Sequence, residues 1–110
     1  MLQLVFLYME KVQILVIGRN EQIVQTVVRL INNNPAWNAS HALTDDEAIS
    51  LFESQPFDLV LFGGGIEPES DTLLRQAFTT HHPRITIIQH YGGGSGLLAT
   101  EINMALENLR

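Results

Sequence analysis

Apolar positions along this chain fall into two alternating kinds of run. Val12 to Ile17 (VQILVI) and Leu59 to Phe62 (LVLF) are short and nearly continuous, as expected of parallel strands covered on both faces. Between and after them, apolar residues recur every three or four positions and so share one face of a helix. Asn20 is an N-cap for a helix predicted over residues 21 to 32, with Ile23, Val27, Leu30 and Ile31 inward. Asn32-Asn33-Asn34-Pro35 ends that helix, and a weaker strand follows within Trp37 to Leu43. Thr44-Asp45-Asp46-Glu47 has the capping-box spacing that opens a second helix, with Ala48, Leu51 and Phe52 inward, and Gln55-Pro56 stops it.

The pattern repeats after the third strand, Leu59 to Phe62. A helix is predicted from Asp71 to Thr80, with Leu73, Leu74, Ala77 and Phe78 as its buried stripe and His81-His82-Pro83 closing it. Ile85 to Gln89 reads as a fourth strand. Gly92-Gly93-Gly94-Ser95-Gly96 then leads, with Ser95 as cap, into a last helix carrying Leu98, Ile102, Ala105, Leu106 and Leu109. Strand and helix alternating four times predict a parallel sheet with right-handed crossovers and helices on both faces. That is a doubly wound α/β fold.

Composition narrows the function classes. A chain of 110 residues, 45% apolar, fits one domain with one compact core. Its net charge of -6 gives no electrostatic reason to approach nucleic acid or anionic lipid, so neither partner is expected. Without cysteine there is no disulfide, thiolate nucleophile or sulfur-ligated metal, a composition ordinary for the reducing cytoplasm, which is the expected location.

Residues 1–10 (MLQLVFLYME) read as an apolar extension ahead of a domain at 11–110, and Met9 is itself a natural start for such a domain. A membrane helix needs about 20 apolar residues, and Glu10-Lys11 interrupts this run far sooner. It has neither the basic start nor the small-residue cleavage site of a secretory signal. A run such as LVFLY is expected to bury itself, either over its own helices or against a second copy. The second copy is the favoured partner, in a homodimer formed through residues 1–10 and the first strand.

ILVIGRNEQIVQTVVRLI and FDLVLFGGGIEPESDTLLRQ, with the order and lengths of the units, resemble the receiver domain of two-component response regulators over about residues 11 to 91. The resemblance implies a flavodoxin-like fold, here with four parallel strands ordered 2-1-3-4 and the fifth βα unit truncated. It also implies a site in which every functional position has changed. Gly18 and Arg19 stand where the family holds magnesium with an acidic pair, Gly63 where it has the phosphoacceptor aspartate, and His90 and Tyr91 where it has the switch Ser/Thr and the following alanine. Pro68 matches the family's loop proline with one residue inserted. Glycine cannot accept a phosphoryl group, and a hard cation needs the carboxylate oxygens that Gly18 and Arg19 lack. The resemblance thus implies a pseudo-receiver that acts by binding a protein partner of unstated identity, with no enzyme activity, cofactor, metal or catalytic residue.

A second expectation comes from the loops themselves. Gly18-Arg19-Asn20, Gly63-Gly64-Gly65 and the segment from His90 to Gly96 converge beyond the strand carboxyl ends, where open α/β sheets bind ligands. A small anion or nucleotide there would be held by Arg19, Gly63, Gly64, Gly65, Gly92, Gly93, Gly94, Ser95 and Gly96. The plain reading is that the glycines make tight turns and Arg19 is exposed, because GGGSG lacks the lysine of a P-loop. His81-His82 reads as a helix C-terminus, Trp37 as a core or strand-edge residue, and Glu67, Glu69 and Asp71 as solvated acids.

Overall fold

The computed structural model describes residues 11–90 and 95–107, and at Ser95 and Gly96 the backbone alone. The elements run β1 (Val12–Ile17), α1 (Glu21–Asn32), β2 (Trp37–Ala42), α2 (Asp45–Ser54), β3 (Leu59–Phe62), α3 (Pro68–His81), β4 (Thr86–Gln89) and α4 (Ser95–Glu107). The strands form one parallel sheet in the order β2-β1-β3-β4, as expected. Residues 1–10, on which the extension and its dimer contact rest, lie outside the described residues, as do Tyr91 to Gly94 and Leu109.

Alternation along the two central strands feeds two cores. Ile14, Val16, Leu59 and Leu61 point to one face, where Val24, Val27 and Ile31 of α1 meet Leu98 and Ile102 of α4. Leu15, Ile17, Val60 and Phe62 point to the other, under α2 and α3. There Phe52 and Phe78 lie 4.4 Å apart between ring centroids. Because β1 and β3 are covered on both sides, all eight residues are essentially without solvent contact. Trp37 is buried in the first core, as expected.

Side chains fix the helix starts. Asn20 Oδ1 accepts from the Ile23 N–H at 3.0 Å, and Thr44 Oγ1 accepts from the Glu47 N–H at 3.2 Å. Glu47 turns back to accept from the Leu43 N–H at 2.7 Å, one residue earlier than an ideal capping box. α3 begins at Pro68, three residues before the predicted Asp71, because proline's fixed φ suits the first helical position. Two predicted core positions are corrected. Ile23 is 51% and Leu73 49% exposed, since the buried stripes run through Val24, Val27 and Ile31 and through Leu74 and Phe78.

Candidate functional site

β1 and β3 end side by side, and their glycines let the two loops approach closely. A Cβ built on Gly18 would stand 2.7 Å from Val24 Cγ2, so any side chain there must displace a buried, conformationally stiff valine. A Cβ on Gly63 would meet the Ile17 carbonyl oxygen at 3.3 Å, the same oxygen that accepts from the Gly63 N–H. Gly65 has φ +84°, a conformation that side chains rarely adopt, and its face lies against the aliphatic stem of Arg19.

Arg19 leaves the end of β1 and ties three loops together. Its Nη1 donates to the Leu43 carbonyl at 2.9 Å, its Nη2 to Asp45 Oδ1 at 2.6 Å, and its Nε to Glu67 Oε1 at 3.2 Å. Ser70 Oγ donates to the other Asp45 oxygen at 2.6 Å, which brings α3 into the same network. Asp45 is held below the usual carboxylate range chiefly by the Ser70 hydroxyl, with burial next and acting the other way, and Arg19 adding to the lowering. Glu67 is lowered by its own backbone N–H and then by Arg19. The guanidinium is raised above its ordinary value, chiefly by its bond to Asp45. Arg19 is therefore neither a plain exposed side chain nor a charge free to balance an anion, since two carboxylates already match it. Glu67 is corrected with it, from a solvated acid to a partner of the guanidinium, and Asp45, read only within the capping box, is its other partner.

His90 closes the end of β4. Its backbone N–H donates to the Phe62 carbonyl at 2.8 Å, and its ring is 3% exposed. Nδ1 lies 2.5 Å from Glu101 Oε1 on α4. A carboxylate only accepts, so Nδ1 carries the proton of this bond. The other ring nitrogen, Nε2, is buried with no hydrogen-bond partner among the described residues.

A cavity of about 260 Å³ opens between α1 and the ends of β1 and β3. Val16, Val24, Val27 and Leu61 make it apolar, the Gly63–Gly65 backbone forms a rim, and His90 forms part of the wall. Gly18, Arg19, Gly63 and His90 thus lie together at this end of the sheet. Their roles differ: Arg19 is a structural clamp, and His90 and the glycines border a mostly apolar space. Tyr91 and Gly92 to Gly94 lie outside the described residues, and of Ser95 and Gly96 no side-chain geometry is described. Sequence reading missed Glu101, although it stands three residues after Leu98 and four before Ala105, next to the buried stripe of the last helix. An acid there calls for a partner.

No family model and no curated protein sequence matches the chain. Solved structures do. The signal receiver domain of an HD domain-containing protein from Pseudomonas fluorescens Pf-5 superposes with a TM-score of 0.68 at 20% identity, covering 89% of this chain and 93% of that one. A CheY-like response regulator receiver domain protein from Methanospirillum hungatei JF-1 gives 0.63 at 21% identity, over 86% and 75%. The fold is that of a receiver domain. It is shared more widely: the lactose-specific IIB component domain of the phosphotransferase system from Streptococcus pneumoniae also gives 0.63, at 12% identity, over 90% and 94%.

The magnesium that a receiver fold implies does not fit these residues. Gly18 offers no carboxylate, and Arg19 places a cation between the acids that remain. Among the described residues, no group of three His, Asp or Glu stands close enough to hold a metal.

Proposed function

We propose that this chain is a receiver-fold signalling or regulatory module that carries no phosphotransfer chemistry and works by binding another protein. The observation that carries the reading is the Arg19 guanidinium, paired with Asp45 and Glu67 where the receiver resemblance puts a magnesium ion. An internal cation there repels a second one, and the neighbouring Gly63 supplies no carboxylate to attack a phosphodonor. What remains is a folded surface. Leu97 and Met104, two turns apart on α4, are 66% and 63% exposed, an apolar pair suited to a protein contact.

Incubation with acetyl phosphate and magnesium, read by intact mass, tests the first half. No added phosphoryl mass is expected, and one mapped to an aspartate overturns the reading. Replacing Leu97 and Met104 by glutamate tests the second half in a pull-down from the native host, with loss of captured proteins expected. Unchanged capture would leave α4 without a role.

The reading as a small-anion or nucleotide site draws support from the left-handed Gly65 and from the glycine rim of the cavity. Such a ligand has to draw Arg19 away from its carboxylates. Thermal shift with phosphates and nucleotides, repeated on Arg19→Ala, tests it.

A further inference from the structure

We propose that the cavity beside His90 is a binding site for a small, mostly apolar molecule carrying one hydroxyl or N–H donor, of the size and kind of a phenol or an indole. The site does not depend on the protein-interaction reading above.

Three observations converge. The first is room: about 260 Å³ is more than an apolar cavity of about 150 Å³ that accepts a benzene ring, and just below the usual range of small-molecule pockets. The second is chemistry: its floor is Val16, Val24, Val27 and Leu61, and the charge of Arg19 at its edge is already matched by Asp45 and Glu67. A bare anion gains little there and loses its hydration. The third is the orphan nitrogen. His90 lines this space, is 97% buried by its 3% exposure, and leaves Nε2 without a partner among the described residues.

Glu101 decides what that nitrogen asks for. In its neutral form, with Nδ1–H donating to the carboxylate, His90 presents a lone pair at Nε2, so the complementary ligand group is a donor. A carboxylic acid would instead leave two carboxylates around one imidazolium in an apolar site, a net negative charge the surroundings do not balance. A neutral hydroxyl or ring N–H satisfies the nitrogen, while the rest of the molecule covers the valines. Ile23, half exposed at the edge of the cavity, is an apolar residue at its mouth, which accounts for an isoleucine outside the buried stripe of α1.

The test is an NMR titration of the full chain with phenol, indole, toluene and inorganic phosphate, following backbone amides and the His90 ring nitrogens. Phenol and indole should give saturable shifts at Val24, Val27 and Gly63 to Gly65 and move the Nε2 resonance. Toluene should bind about tenfold more weakly, the worth of one hydrogen bond, and leave Nε2 unmoved. In His90→Phe, phenol and toluene should bind alike. If that variant does not fold, the Nε2 response of the unmodified protein still decides. The proposal is overturned if none of the aromatic probes shifts these resonances at millimolar concentration, which would leave bound water as the partner of Nε2. It is equally overturned if toluene matches phenol in the unmodified protein, or if phosphate alone binds.

Discussion

Arg19 Nη2 and Asp45 Oδ1 meet at 2.6 Å across the tops of β1 and β2, with both side chains about three-quarters withdrawn from water. The guanidinium joins loops that are far apart in sequence, so its removal affects all of them. Arg19→Ala should lower stability by about 1–2 kcal/mol, kept from being larger by residual solvent screening. Glu67→Gln should cost much less, because that side chain is 57% exposed. Urea midpoints of the two variants check the order, and equal losses would contradict the geometry.

Acid should weaken the same network. Asp45 and Glu67 have folded pKa values below their ordinary 3.8 and 4.5, so their stabilisation is present above that range and is lost as pH falls through the lowered values. Arg19, raised further above its already high ordinary value, stays charged throughout. The stability gap between the unmodified protein and Asp45→Asn should therefore hold steady from about pH 8 to 5 and close below about pH 4. Denaturation at a series of pH values measures it, and a gap that widens in acid would reverse the assignment.

Three glycines at the site should respond differently to alanine. Gly18→Ala drives a methyl into Val24 and should cost about 1–3 kcal/mol. Gly65→Ala strains a left-handed backbone and should cost about 1 kcal/mol. Gly64→Ala meets nothing within 4 Å among the described residues, at a φ that is not positive, so it should be neutral or slightly stabilising. Thermal melts rank them, and a neutral Gly18→Ala would show that α1 yields easily.

Residues 1–10 should hold two copies of the chain together. The run LVFLY is too apolar to face water, and β1, which it precedes, already has β2 and β3 on its two edges. Light scattering at micromolar concentration should give a dimer for the full chain and a monomer for a version starting at Met9. Two monomers would assign the segment to its own chain.

The sheet was legible because β1 and β3 are buried on both faces and leave unbroken apolar runs, and α1 because Asn20 and the Asn-rich stop bracket it. Ile23 and Leu73 misled because a helical stripe read by apolarity alone does not say where its centre lies, and neighbours at Val24 and Leu74 took the inward direction. The site was legible as a set of loops and illegible as a network. Nothing local ties Arg19 to Asp45, 26 positions away, or to Glu67, 48 away; only the strand order brings those loops together. The His90–Glu101 pair spans 11 positions and was marked by a single acid beside an apolar stripe.

A metal ion that organises loops comes and goes with its concentration, and a chelator can strip it. The cation that organises these loops is built into the chain at residue 19, so its local concentration is set by the backbone and cannot be diluted. The arrangement at the top of this sheet consequently needs no divalent ion to hold its loops together. If the chain acts as proposed, any signal it conveys has to enter through something that touches it elsewhere.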